Sequence, residues 1–319
     1  MPRYALGIDG GGSKCDAALV DERGAVVGWG RGGPTHVYYD PPEVIDASYV
    51  EAVTAALEGC HGAEVWVAGL LPDGPPREAV LARTSHLCHL PANEVDTAFA
   101  SAQERWGLIV LAGTGSFVHG RTLDGGDLHL GGRGPILDDY GSAYQIGLLG
   151  LRAAFASDWT EARRTSLAEA IPEALEVHNL GRVFDLVYVE GLGRRQIAAL
   201  AEVVDAEAEQ GDDIAAQCLE RAADELAEVA VEVIRELEIE SLAFPLIRIG
   251  SVAQQSRIWW RRLEQDLLEV APELRPLTPA VTPAVGAALL ALRQMGVQWT
   301  PDLLARAGET AAQVMPGVD

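Results

Sequence analysis

A strand that ends in an aspartate and breaks into glycines constrains this chain more than any other feature. Residues 4–9 read as a strand, Gly10-Gly11-Gly12-Ser13 interrupts it, and residues 14–20 read as a second strand. Two strands joined by so short a glycine loop form a hairpin. Asp21-Glu22-Arg23-Gly24 then makes a turn before a third strand at 25–29, so the chain opens as a β-meander. A Walker phosphate loop and a dinucleotide fold both require a strand followed by a helix here, and both are excluded.

The loop composition has a specific chemical use. Glycines let backbone N–H groups approach phosphate oxygens, Ser13 and Lys14 add donors, and Asp9 can hold a hydrated Mg²⁺ through its water shell. Lys14 is the only lysine in the chain; the other 23 of the 24 cationic residues are arginine. A compact ammonium beside three glycines is a common phosphate partner. The device recurs later: residues 108–112 read as a buried strand, Gly113-Thr114-Gly115-Ser116 as a turn, and 117–121 as another strand. Two related domains, each presenting a hairpin to one ligand, would explain the recurrence.

Between and beyond the hairpins the pattern alternates. Helical spacing covers 44–57 and 75–87, with a short apolar strand at 64–68. Glu94-Val95-Asp96 reads as a strand tip that enters a helix at 97–103. From Tyr140 helices dominate, at 142–155, 161–170, 195–208 and 213–238, the last with an apolar 3-4 stripe and a Glu-rich solvated face. A strand at 246–249, a helix at 256–269 and a small-residue helix from Pro283 follow.

The 319 residues suggest about two domains at roughly 100 to 200 residues each. A net charge of −23 opposes binding to nucleic acid or anionic membranes, and no local basic patch offsets it. No apolar run approaches a membrane span, no secretory leader is read, and Cys15, Cys60, Cys88 and Cys218 are scattered as reduced thiols would be, so a soluble cytoplasmic protein is expected. His86-Leu87-Cys88-His89 lacks further metal partners and reads as a surface helix end; Trp259 and Trp260 read as core at helical spacing. The pairs Arg163-Arg164, Arg194-Arg195 and Arg261-Arg262 read as compensation for acidic helices.

The runs from Leu6 to Lys14 and from Leu111 to Ser116, with Gly131-Gly132-Arg133-Gly134-Pro135-Ile136-Leu137-Asp138-Asp139-Tyr140-Gly141-Ser142-Ala143-Tyr144, resemble the BadF/BadG/BcrA/BcrD family, and more narrowly its N-acetylglucosamine kinase branch. Segments around Gln196, Gln210-Gly211-Asp212 and Ala284-Val285-Gly286 extend the resemblance over most of the chain. It implies an α/β protein of two ribonuclease-H-like domains, in the actin, Hsp70 and hexokinase superfold, with ATP in an interdomain cleft that closes on the acceptor. The expected domains are 1–111 and 112–319, the second with helical insertions; a return of the last helix to the first domain is compatible with this.

By the same resemblance Gly10, Gly11, Gly12, Ser13 and Lys14 form the β/γ-phosphate loop, and Gly113, Thr114, Gly115 and Ser116 its counterpart. Asp9 serves Mg²⁺, and Gly250-Ser251 is the adenosine turn, with Ser251 where a second glycine is usual. Asp96 falls where the family's catalytic base sits. A carboxylate there can accept the proton of a sugar hydroxyl as it attacks phosphorus; the competing reading is an N-cap of the following helix. Thr35, His36, Thr114, Gly132, Arg133, Asp139 and Tyr140 would line the acceptor pocket. Here the chain departs from the branch: His36 follows Thr35 where asparagine is usual, Arg133 replaces tryptophan, and Tyr140 replaces glutamate. An arginine in the pocket would favour an anionic or strongly accepting substituent, so a sugar acid or lactyl-bearing amino sugar ranks next after N-acetylglucosamine. The expected activity is ATP- and Mg²⁺-dependent phosphorylation of a small sugar, N-acetylglucosamine or glucosamine first. Kinases of this type are often homodimers. The rivals are a nucleotide- or sugar-binding sensor with an altered acceptor pocket, and a dehydratase-activating ATPase, which would need closely placed cysteines.

Overall fold

The computed structural model describes residues 2–315. The chain folds as two compact units: one runs to Arg105 and resumes at Thr278, the other is Trp106–Leu277. In the first, β1 (Arg3–Gly10), β2 (Cys15–Asp21) and β3 (Val26–Gly32) form an antiparallel meander. After α1 (Pro42–Ala56), β4 (Ala63–Ala68) pairs parallel to β1. A short α2 (Pro75–Leu81) leads to β5 (Thr84–Leu90), parallel to β4, so the sheet order is β3-β2-β1-β4-β5.

Two expectations change here. The helix read over 75–87 stops at Leu81, and its second half is the edge strand β5. His86-Leu87-Cys88-His89 therefore lies on that strand, with the His89 ring 2.9 Å from the Gly69 carbonyl. The strand tip read at Glu94-Val95-Asp96 is the first turn of α3 (Glu94–Ser101), capped by Asn93, whose side chain accepts from the Asp96 N–H at 2.7 Å. Asp96 is thus neither at a strand tip nor an N-cap. It sits at the third position of a helix whose cap lies three residues earlier.

The second unit repeats the topology. Its strands β6 (Gly107–Ala112), β7 (Ser116–Arg121) and β8 (Asp127–Gly131) form a meander. Helices follow: α4 (Ala143–Ala156), α5 (Leu167–Ala174), α6 (Leu180–Asp185) continued by a π-helical turn at Leu186–Glu190, α7 (Arg194–Glu209) and α8 (Asp213–Glu236). The helix read over 161–170 is instead a 3₁₀ turn at Glu161–Arg163 and a loop before α5. Then β9 (Pro245–Ile249) pairs parallel to β6, α9 (Ser251–Gln255) and α10 (Arg257–Val270) intervene, and β10 (Arg275–Leu277) pairs parallel to β9. The order β10-β9-β6-β7-β8 is that of the first sheet.

Because β6 is the central strand of this sheet, the units divide ahead of it rather than at 111/112. The core lies between sheet and helices: α8 buries Cys218, Leu219, Ala222, Leu226 and Val233, as its 3-4 spacing dictates, and Trp259 and Trp260 of α10 are buried with them.

From Thr278 the chain belongs to the first unit, where α11 (Pro283–Gln294) and α12 (Pro301–Val314) cover one face of the sheet while α1 covers the other. The small residues of α11 let backbones touch. A Cβ on Gly7 of β1 would lie 1.9 Å from the Ala284 carbonyl, and one on Gly286 would lie 2.6 Å from the Thr97 carbonyl of α3. This helix thereby sets the spacing of the strand that carries Asp9 against the helix that carries Asp96. Among the described residues no helix is long and apolar enough to cross a membrane.

Candidate functional site

In the first unit the register of three strands builds a charged row. Asp9 of β1 lies opposite Asp16 of β2, which lies opposite Arg31 of β3. Directly opposed carboxylates repel, so the row needs cations. Arg31 supplies one, with Nε 2.7 Å and Nη2 3.0 Å from the two oxygens of Asp16. Lys14 supplies the other, its Nζ 3.3 Å from Asp16 Oδ2 on a side chain that remains 46% exposed. Both serve Asp16. The Asp9 carboxyl is pushed up to about 6, first by burial and then by the Asp16 charge, with Lys14 opposing. Burial likewise pushes the Cys15 thiol up to about 12, leaving it unreactive.

The loop between these strands is closed by the Gly11 N–H donating to the Lys14 carbonyl at 2.8 Å. Gly10 cannot carry a side chain, since a Cβ would meet Thr35 Oγ1 at 2.6 Å and Tyr49 Oη at 2.8 Å. Thr35 is buried under the hairpin, its N–H donating to the Gly11 carbonyl at 3.0 Å and its hydroxyl directed at the same oxygen. The hydroxyl thus braces the glycine loop. His36 is half-buried in a turn closed by Asp40, whose carboxylate accepts the His36 N–H at 3.0 Å, and its ring packs 4.7 Å from that of Tyr39. Tyr49, buried beneath the loop, is pushed up to about 12 by burial and hydrogen-bonds Thr35.

Asp96 is half-buried on the first turn of α3, where the helix dipole favours a carboxylate. Glu94 shares that turn. The residue is exposed by surface area, yet the protein packed around its carboxyl and then the Asp9 charge push it up to about 7. Among the described residues no three His, Cys, Asp or Glu side chains converge as a metal cage. A hydrated Mg²⁺ needs no such cage, since that ion keeps several waters, takes one or two carboxylates and completes its shell with phosphate oxygens. Asp9 fits that role.

In the second unit the Gly113–Ser116 turn is held from both sides. The Gly113 N–H donates to the Gly115 carbonyl at 2.9 Å, and the Gly113 carbonyl accepts from the Ala143 N–H at 2.8 Å. Ser116 donates its hydroxyl to the Tyr140 carbonyl at 2.6 Å, and its own carbonyl accepts from the Gly132 N–H at 2.9 Å. Thr114 is half-buried at the tip. Asp139, backbone φ +61°, turns a buried carboxylate onto the turn, accepting the Ser116 N–H at 3.3 Å and Arg194 Nη2 at 2.9 Å. Gly132, Arg133 and the Tyr140 side chain are exposed, with the Arg133 N–H donating to Asp138 at 2.7 Å.

Gly250 adopts φ +92°, and a Cβ there would lie 2.4 Å from the Ala112 carbonyl and 2.9 Å from the Gly113 nitrogen. The glycine is therefore required by the chain's own backbone. It brings Ser251, the first residue of α9, to the Gly113 turn, so these two turns are neighbours within one unit.

Asp16, Arg31, Glu94 and Arg194 escaped the sequence reading. Asp16 carried a signal, as the one charged residue in the otherwise apolar run 15–20. Arg194 was grouped with the arginine pairs that serve acidic helices; Arg262 does so, pairing with Asp224 and Asp266, but Arg194 pairs with Asp139.

Comparison with known proteins accords with this architecture. An N-acetylmuramic acid/N-acetylglucosamine kinase of Clostridium acetobutylicum is 26% identical over 300 residues, 91% of this chain and 98% of that protein. An N-acetyl-D-glucosamine kinase of Dictyostelium discoideum is 25% identical over 312 residues, 90% of this chain and 97% of that protein. A solved Chromobacterium violaceum protein, provisionally named an N-acetylglucosamine kinase, shares the fold with a TM-score of 0.64 at 21% identity, covering 91% of this chain and 99% of that one. Residues 6–291, which hold both glycine hairpins, Asp96 and the Gly250 turn, match the family model itself: the chain belongs to the BadF/BadG/BcrA/BcrD ATPase family.

Proposed function

We propose that the protein is an ATP- and Mg²⁺-dependent kinase that transfers the γ-phosphoryl group to a hydroxyl of a small amino sugar, N-acetylglucosamine or glucosamine first. The observation that carries this reading is the glycine hairpin bearing Asp9 and Lys14, repeated as the Gly113–Ser116 turn on a second sheet of the same topology. The sugar acceptor is supported by relatives named as amino-sugar kinases, which match this chain over nearly their whole length. MgATP, when bound, supplies the phosphoryl group and a cation that offsets charge on its oxygens.

The chain's own groups divide the remaining work. Asp9 holds the metal's water shell, and Lys14, exposed enough to leave Asp16, reaches phosphate. Gly10 to Ser13 and Gly113 to Ser116 bring backbone N–H groups to phosphate oxygens, while Gly250 and Ser251 clear space for the nucleoside. Asp96 accepts the proton of the attacking hydroxyl. His36, Thr114, Gly132, Arg133, Asp139 and Tyr140 select the acceptor, and Thr35 steadies the glycine loop of its own unit through the Gly11 carbonyl. The enzyme acts in the cytoplasm, in keeping with four free cysteines, and as a homodimer, which rests on the family resemblance alone. The dehydratase-activator reading lacks its closely placed cysteines.

A coupled ADP-release screen over amino sugars, N-acetyl sugars including a lactyl-bearing one, and plain hexoses tests the reading. Turnover with an amino sugar supports it. Exposed Arg133 and Tyr140 favour one second reading, a sensor whose acceptor loop no longer holds sugar, and nucleotide binding without any sugar-dependent turnover would establish that instead.

A further inference from the structure

We propose that Arg194 is a positioning residue for phosphoryl transfer: it holds the Asp139 carboxylate, and Asp139 in turn fixes the Gly113–Ser116 turn. The link from this brace to transfer rests on the function proposed above; the brace itself does not. Arg194 is the first residue of α7, where the positive end of the helix dipole disfavours a cation. Its partner must therefore lie outside the helix, and the structure supplies Asp139, with Nη2 at 2.9 Å from Oδ2. The side chains are 14% and 3% exposed, so the pair is largely desolvated and removing either member leaves the other short of an opposite charge.

The pair also lies directly on the turn. A Cβ on Gly115 would come within 2.9 Å of Arg194 Nη2 and 3.0 Å of both Asp139 oxygens. The turn cannot shift toward the pair, and the other Asp139 oxygen accepts the Ser116 N–H. Asp139 reaches this position only through a left-handed backbone, which is strained for a non-glycine residue and persists where surrounding contacts enforce it. Those contacts are the Asp139 N–H to Asp138 at 2.7 Å, the Ser142 N–H to the Asp139 carbonyl at 3.2 Å, and Arg194.

Three groups govern the charge on Asp139. Burial raises its pKa from the ordinary aspartate value and the Asp138 charge adds to this; the Ser116 N–H and Arg194 act the other way. Without Arg194 the carboxylate is left buried and unmatched, so its proton affinity rises further. A group whose folded pKa exceeds its unfolded value is least harmful at low pH and becomes destabilising as pH rises through the folded value.

The test measures thermal midpoints from pH 5 to pH 8, and acceptor kinetics, for wild type, Arg194→Ala, Arg194→Lys, Asp139→Asn and the double variant, with Arg194→Met replacing the alanine variant if that does not fold. The expected result is a midpoint deficit in Arg194→Ala that grows from pH 5 to pH 8 and disappears as a pH-dependent effect in the Asp139→Asn background. In kinetics, kcat/KM for the acceptor falls by about 10- to 100-fold, as a displaced site group produces, with its acidic limb moved upward, and Arg194→Lys recovers most of the loss. A deficit equal at every pH and additive with Asp139→Asn would overturn the brace. If wild type turns over no sugar, the proposed function fails while the midpoints still decide the coupling.

Discussion

Asp9 is held against its own electrostatic preference. Its folded pKa, about 6, lies above the unfolded carboxylate value, so the stability it contributes is complete below about pH 4 and is lost as pH rises through 6. Asp9→Asn should therefore stabilise the protein at pH 7.5 by about 1 kcal/mol, allowing for solvent that still reaches the carboxylate, a rise of about 2–4 °C in Tm. The same change should remove most of the Mg²⁺ dependence of nucleotide binding, which in wild type weakens below pH 6; scanning calorimetry and nucleotide titrations with and without Mg²⁺ read the two effects. Asp96→Asn should lower kcat by about 10²- to 10⁴-fold while nucleotide affinity persists, and near-full activity would remove Asp96 from the chemistry. Asp9, the glycines and Lys14 were legible because they are consecutive. Asp139 was legible as a residue of the acceptor loop, but its pairing with Arg194 55 residues away was not, nor was that of Asp16 with Arg31 across strands, because such partners are set by register and packing.

Helix boundaries decide where these groups stand. Asn93 caps α3 and places Asp96 at the third helical position, whereas sequence reading began the helix at Thr97 because Glu94-Val95 fits a strand tip equally well. The asparagine three residues before an aspartate was the missed signal. Similarly, 84–90 reads as more helix until β4 offers it a parallel partner. The small-residue run of α11 was legible as a helix, but its purpose is tertiary: Gly286 touches the α3 backbone. Gly286→Ala should lower stability by about 1–3 kcal/mol through overpacking and reduce kcat more than nucleotide affinity, since it pushes on the helix that carries Asp96. Denaturant titration paired with steady-state kinetics checks this.

The two units share one strand order, and the recurrence of a glycine hairpin in the sequence already marks that duplication. The sequence left a return of the last helix to the first unit open but did not reach the return of the whole segment from Thr278, because a helix's amphipathic pattern does not name the sheet it covers. Residues 106–277 hold a complete core, whereas residues 1–105 lack α11 and α12, so the former should unfold cooperatively as an isolated fragment and the latter should not, by circular dichroism against temperature. The central claim, phosphoryl transfer to an amino sugar, is tested most directly by ³¹P NMR of the protein with MgATP and N-acetylglucosamine or glucosamine. The account predicts a phosphate-monoester resonance that grows in step with ADP and vanishes in Asp96→Asn. ATP that stays intact, or that yields only inorganic phosphate whichever of the two sugars is present, would contradict it.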